Sequence, residues 1–308
     1  MSPLVSVILP TYNRATTLAR AVESVLNQTF ADFELVIIDD GSTDGTRELL
    51  GKYAGVGKVR IIWAERRGAG GARNLGVSQA RGVYIAFQDS DDEWVPHKLA
   101  RAMEVLTRPG EECSVFYSNM TMYRFDGRVY VHTPPVVTEG RFFNERTGDY
   151  EVSGISMQTL VLKKAHYEAV GGCDEVIPRF IDMELCIRLG DHYRFVHCAE
   201  SLCNVYHGQE SFRISTNLGA LIKARQYMIR KYRKRLARSQ CDLARQDLYL
   251  AHAHSCHGDT LRSVLTAVRA WVSAPTQMII IRGTLSALRR EVRRHVGLPE
   301  IGTIGVSS

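Results

Sequence analysis

The chain has 308 residues, 45% hydrophobic and 23% charged, enough for one sizeable α/β domain with a helical appendage. Its formal net charge of +6 is uneven: Lys and Arg crowd into 213–245 and return at Arg289, Arg290, Arg293 and Arg294. This points to an anionic partner, a membrane surface or a phosphorylated acceptor. No run of about 18 apolar residues argues for a membrane span, and no recognition motif accompanies the charge to argue for nucleic acid. The seven cysteines form no CxxC pair, so free thiols in a reducing, cytoplasmic setting are expected.

In chain order, apolar runs at 5–9, 35–38, 59–63, 84–87 and 114–117 read as short buried strands. Helical patterns at 16–27, 43–53, 70–80 and 97–106 lie between them. Such alternation predicts a mostly parallel sheet flanked by helices, with ligands at the carboxyl ends of the strands. Residues 117–154 are less regular, and strands with a long loop are expected there. A helical pattern over 163–191 breaks at Gly171-Gly172, and 195–198 reads as one more strand. Beyond Asn217 helices are expected over 218–236, 242–257, 260–272 and 277–296, with 248–271 similar to a single tetratricopeptide unit.

The unusual residues sit at the strand ends. The first strand closes in Pro10-Thr11-Tyr12-Asn13-Arg14, the second in Asp39-Asp40-Gly41-Ser42-Thr43-Asp44, and the fourth in Asp89-Ser90-Asp91-Asp92. Clustered carboxylates beyond a buried strand repel one another unless a cation lies between them, and a hard divalent ion with oxygen ligands suits that place. Taken alone, the segment reads more readily as an acidic turn capping the helix that starts near Pro96, and it is the other strand ends that shift the balance. An Asp at the second strand end can accept an imide N–H, and an aromatic ring beside it can stack on a base. Gly68 to Gly76 is glycine-rich, enters a helix and carries Arg73, which can reach a phosphate or the acidic strand ends. Because it follows the third strand, it is not a dinucleotide fingerprint.

These four motifs, in this order and spacing over residues 4–100, resemble the family 2 glycosyltransferases of GT-A fold. The likeness continues more weakly through Gly171-Gly172-Cys173-Asp174-Glu175 and 182–189, and fades after about residue 216. The resemblance implies an inverting transferase that moves a sugar from a nucleotide diphosphate, uracil being the expected base, to a hydroxyl of a glycan or lipid-linked acceptor. By position, Thr11, Tyr12, Arg14 and Asp40 would hold the nucleotide together with Arg73, Asp89 and Ser90. Asp89 and Asp91 match the DxD motif that holds Mn²⁺ or Mg²⁺. Asp182 matches the general base, although Ile181 stands where many relatives have Glu. His207 resembles a late histidine at the metal or diphosphate, although Val205 stands where an Arg is often found.

The expected organisation is a transferase domain over 1–216, its nucleotide half at 1–110 and acceptor half at 111–216, followed by a basic helical extension over 217–308. The expected setting is cytoplasmic, peripheral at the inner face of the plasma membrane, in cell-envelope polysaccharide assembly. The competing reading is a nucleotide-sugar-binding scaffold without catalysis, which the intact Asp89, Asp91 and Asp182 oppose.

Overall fold

The computed structural model describes residues 2–111, 114–137, 143–144, 149–150, 154–207, 217–236, 240–275, 280–286 and 288. The segment following His207, most of the expected loop over 138–153 and the arginines at 289–294 lie outside the described residues. The chain divides into two compact units, Met1–Phe143 with Tyr150–Glu210, and Asn144–Asp149 with Ser211–Ser308.

In the first unit the strands are β1 (Val5–Thr11), β2 (Phe33–Asp40), β3 (Val59–Ala64), β4 (Tyr84–Phe87), β5 (Glu93–Trp94), β6 (Val115–Arg124), β7 (Val129–His132), β10 (Val161–Lys163) and β11 (Phe195–His207), while the two-residue strands β8 (Phe143–Asn144) and β9 (Asp149–Tyr150) fall where the division is drawn. The helices are α1 (Leu18–Leu26), α2 (Thr46–Gly51), α3 (Gly68–Gln79), α4 (Lys98–Leu106), α5 (Lys164–Ala169) and α6 (Ile181–Gly190). The main sheet runs β3-β2-β1-β4-β10-β6-β11-β5, with β7 added to β6. β3, β2, β1 and β4 are mutually parallel, as are β6 and β11. β10 is antiparallel to both of its neighbours and joins the two parallel halves. This is the expected α/β fold of GT-A type, with one reversed strand at its middle.

Parallel strands covered on both faces are apolar along most of their length, and the carboxylates of β2 are each held by partners, Glu34 by Ser6 and Arg60, Asp39 by Arg47 and Asp40 by Arg66. The eight residues of β2 are all buried, and β1 is buried at every position except Pro10. α1 covers them with Leu18, Ala21, Val22 and Val25, one stripe at helical spacing. α3 packs so tightly that a Cβ on Gly76 would lie 2.5 Å from side-chain carbons of both Ile8 and Ile38.

Two strands are longer than their apolar runs predict. β6 continues from the run at 114–117 to Arg124, and β11 from 195–198 to His207. Their later halves interleave polar residues that bond across the ladder: the Thr121 and Ser201 hydroxyls are 2.7 Å apart, and the His197 ring meets Asn119 Oδ1 at 2.7 Å. A test for continuous hydrophobicity stops where that pairing begins.

The second unit contains α7 (Leu218–Lys231), α8 (Arg233–Leu236), α9 (Gln240–Cys256) and α10 (Thr260–Ser273). The helix expected over 218–236 is thus divided at Tyr232. α9 meets α7 through Leu250, Ala253 and Ile222, and meets α10 through Ala244, Ala251, Ala267 and Ala270. Asn217 and Asp259 cap α7 and α10 by accepting the Ala220 and Arg262 N–H groups. Among the described residues no helix is long and apolar enough to cross a membrane. Cys173, Cys186, Cys198, Cys203 and Cys256 are free thiols.

Candidate active site

The register Val5↔Phe33 to Thr11↔Asp39 brings the end of β1 beside the end of β2, while Ile8↔Phe87 places the end of β4 on the other side of β1. Asp39 is fully buried. Its oxygens accept the Ser42 N–H at 3.1 Å and Arg47 Nε at 2.7 Å, which fixes the turn into α2. Asp40 accepts Arg67 N–H at 2.7 Å, Gly68 N–H at 2.9 Å and Arg66 Nη1 at 2.5 Å. The Arg66 guanidinium also lies over the Tyr12 ring, 3.5 Å from its centroid. Thr11 is buried and its hydroxyl has no partner. The Thr11 hydroxyl, the Tyr12 ring and the Asp40 carboxylate therefore lie at one strand junction, where Arg66 bonds to the carboxylate and stacks on the ring.

Arg73 belongs to α3, which begins at Gly68, so the glycine-rich segment is the first turn of a helix rather than a loop before one. Its Nη2 donates to Asp89 Oδ1 at 2.5 Å and its Nη1 to the Ala69 carbonyl at 3.2 Å. Burial opposes the Arg73 charge, but Asp89 outweighs it and holds the guanidinium above its ordinary value. Burial pushes the Asp89 carboxyl up against the pull of Arg73, and Asp91 pushes it the same way. Arg14 Nη2 lies 3.7 Å from Asp91 Oδ2. Ser90 is buried and its carbonyl accepts from Thr17 Oγ1.

The carboxylate pair of Asp89 and Asp91 is thus balanced by two arginines. Hard oxygen donors that repel one another fit a divalent ion bridging to a diphosphate. Among the described residues no group of three or more His, Cys, Asp or Glu side chains is gathered closely enough to hold a metal by itself. A cation at Asp89 and Asp91 would need ligand oxygens or water to complete its shell. His207 ends β11, one residue beyond Tyr206, whose N–H donates to Asp92 Oδ1 at 3.1 Å.

Asp182 lies in the first turn of α6, entered through Phe180 in the left-handed region at φ 67°. Its Oδ1 accepts the Met183 N–H at 2.9 Å. Burial pushes the carboxyl above its ordinary value of 3.8, the Met183 N–H and Arg73 pull it down, and Asp89 adds to the push. The charges of Arg73 and Asp89 therefore reach Asp182, although about a hundred residues separate them in sequence.

Three parts of this arrangement were not singled out from the sequence. Arg66 stands two residues before Gly68, where only its charge marked it. Arg20 donates to the Asp91 carbonyl at 2.6 Å and lies 3.8 Å over the Tyr206 ring, which stacks on Tyr123 at 4.8 Å. Asp92 joins β4 to β11 by accepting both the Tyr206 N–H and Gln158 Nε2, and Gln158 lies in a stretch without periodicity.

Comparison with known proteins gives the family and the fold. The chain is 36% identical over 141 residues to "Putative teichuronic acid biosynthesis glycosyltransferase TuaG" of Bacillus subtilis, covering 44% of this chain and 55% of the relative. It is 38% identical over 117 residues to "UDP-Glc:alpha-D-GlcNAc-diphosphoundecaprenol beta-1,3-glucosyltransferase WfgD" of Escherichia coli, covering 38% and 45%. The chain thus spans about half the length of these two relatives. Over a longer stretch it is 31% identical to "Amylovoran biosynthesis glycosyltransferase AmsB" of Erwinia amylovora, covering 66% and 69%. The fold is shared with S. aureus TarS 1-349 in complex with UDP-GlcNAc, at TM-score 0.63 and 18% identity over 99% of this chain and 95% of that one. It is shared also with the mannosyltransferase PcManGT from Pyrobaculum calidifontis in complex with GDP-Man and Mn²⁺, at TM-score 0.58 and 18% identity over 96% and 88%. The family model described as "Glycosyl transferase family 2" matches residues 6–168, from the first strand through the helix that follows β10, and on that extent the chain belongs to glycosyl transferase family 2.

Proposed function

We propose that the chain is an inverting glycosyltransferase that moves a sugar from a UDP-sugar to a hydroxyl of a glycan or lipid-linked acceptor in cell-envelope polysaccharide assembly. The observation that carries this reading is the Arg73–Asp89 ion pair at the end of β4, whose charges bear on the Asp182 carboxyl, with Thr11, Tyr12 and Asp40 at the adjoining strand junction. The named relatives support the pathway and the lipid-linked acceptor, and the TarS complex supports the base.

In this reading Thr11, Tyr12 and Asp40 seat the nucleobase, and Arg14, Arg73 and Ser90 line the diphosphate. Asp89 and Asp91 would hold Mn²⁺ or Mg²⁺, which when bound neutralises charge on the diphosphate leaving group. The metal role expected of His207 is not carried forward, since among the described residues no third His, Cys, Asp or Glu is gathered with the pair. The acceptor oxygen attacks the anomeric carbon from the face opposite the diphosphate. The bond from that carbon to the diphosphate oxygen breaks, and its electron pair leaves with UDP. Asp182 takes the acceptor proton as the new glycosidic bond forms. A carboxyl whose affinity for protons is raised by burial suits that step. Residues 1–216 form the transferase domain in this proposal, and the basic 217–308 extension meets an anionic membrane surface at the cytoplasmic side.

Transfer of labelled sugar from a panel of nucleotide sugars to a lipid extract tests the assignment. Asp182→Asn should lower turnover by about 10²–10⁴-fold while donor affinity stays nearly intact. Equal losses in affinity and turnover would contradict the base role, and donor binding without any transfer by the wild type would favour the scaffold reading.

A further inference from the structure

α10 is built inside out. The face it turns toward α9 is made of small residues, with Ser263, Thr266, Ala267 and Ala270 buried. Its large apolar side chains point the other way: Leu261 is 70% exposed, Leu265 59% and Val272 66%, with Val268 also exposed between them. Positions 261, 265, 268 and 272 are spaced by four, three and four, so they form one continuous stripe along the helix. Trp271, 47% exposed, lies beside that stripe. A helix of a water-soluble bundle turns its large apolar residues inward, and a stripe of this length facing outward marks a surface that meets a second apolar phase.

Charge identifies that phase. Residues 211–308 hold 17 Lys and Arg against 5 Asp and Glu, a formal +12, whereas the preceding 210 residues carry a formal −6. From Thr260 to Arg290 the sequence contains no acidic residue and five arginines. Arg262 and Arg269 flank the stripe, steadied by Asp259 and Asp247. A second copy of the chain docking face to face, α10 on α10, would bring the same positive unit against it. An anionic bilayer brings the opposite sign together with an apolar interior, and an aromatic residue beside the stripe matches the headgroup boundary where indole rings concentrate.

We propose that the outward stripe of α10 inserts into the interface of an anionic lipid bilayer, lying in its plane. This deepens the membrane reading given above by naming the inserted face, and it is independent of the nucleotide site. Electrostatic attraction from the basic unit brings the chain to the surface, and burial of the stripe holds it there. Binding therefore has an apolar component that salt does not remove.

Co-sedimentation of the full chain with vesicles of phosphatidylglycerol and phosphatidylcholine tests this. The wild type should bind, retain part of its binding at raised salt, and show a blue shift of tryptophan emission. Leu265→Glu/Val272→Glu should weaken binding by roughly tenfold or more. The neutral pair Leu265→Gln/Val272→Thr should reproduce the loss in milder form, which charge repulsion alone would not. Both positions are exposed, so the thermal transition and the response to UDP should be unchanged, separating this outcome from any failure of the donor site. Absence of wild-type binding, equal binding by the variants, or a wild-type dimer that the Glu pair dissolves would each overturn the proposal.

Discussion

Asp182 has two properties that pull against each other. Burial and the nearby Asp89 raise its proton affinity, which suits a base but penalises the charged form in the folded state. A carboxyl raised on folding contributes stability that is fully present below its unfolded value, here 3.8, and is lost as pH rises through the folded value. Asp182→Asn should therefore melt at a higher temperature than the wild type at neutral pH, with the difference closing at strongly acid pH. Thermal melts of the two proteins across pH check this; a lower neutral-pH melting temperature for the variant would contradict it. The rate of transfer should rise with pH as Asp182 ionises, and the variant should lose that limb. The residue was legible in the sequence only through the resemblance to family 2 glycosyltransferases, since its place in a helix first turn reads equally as a cap, and its electrostatic setting was not legible at all. Arg73 and Asp89 approach it only once α3, β4 and α6 are folded together.

Elements explain why the strand ends were readable and the bonds behind them were not. A strand buried on both faces is a continuous apolar run, so the ends of β1, β2 and β4 follow from hydrophobicity alone. The Asp92 bonds to Tyr206 and Gln158 couple segments 66 or more residues apart and leave no periodic trace. The glycines divide in the same way. Gly68, at φ 80°, opens α3 in a conformation that favours glycine, as a turn signal implies. Gly76 is there for contact, since any Cβ would strike Ile8 and Ile38. Gly76→Ala should cost about 1–3 kcal/mol, because the buried isoleucines must leave their rotamers. Denaturant unfolding at constant slope would measure it, and a neutral effect would mean that α3 can move away from the sheet.

At the scale of the whole molecule the dominant feature is the division of charge. The segment to 210 is formally acidic and the remainder strongly basic, so the net +6 describes neither part. That asymmetry was visible in composition. The orientation of α10 was not: its sequence reads as an ordinary amphipathic helix, and only its packing shows that the small residues face inward. The irregular stretch after Tyr117 resisted reading because its strands are short or polar on one face, as β7 and the later half of β6 are.

A metal-assisted uridine diphosphate site on the ends of β1, β2 and β4 is tested by thermal shift with UDP in the presence and absence of Mn²⁺. A ligand that binds only the folded state stabilises it by about 2.7 kcal/mol at a hundredfold excess over its dissociation constant. The wild type should show an Mn²⁺-dependent rise in melting temperature that is lost in Asp91→Ala and reduced in Tyr12→Ala. An equal rise in the wild type and Asp91→Ala, or no rise with any nucleotide diphosphate, would contradict it.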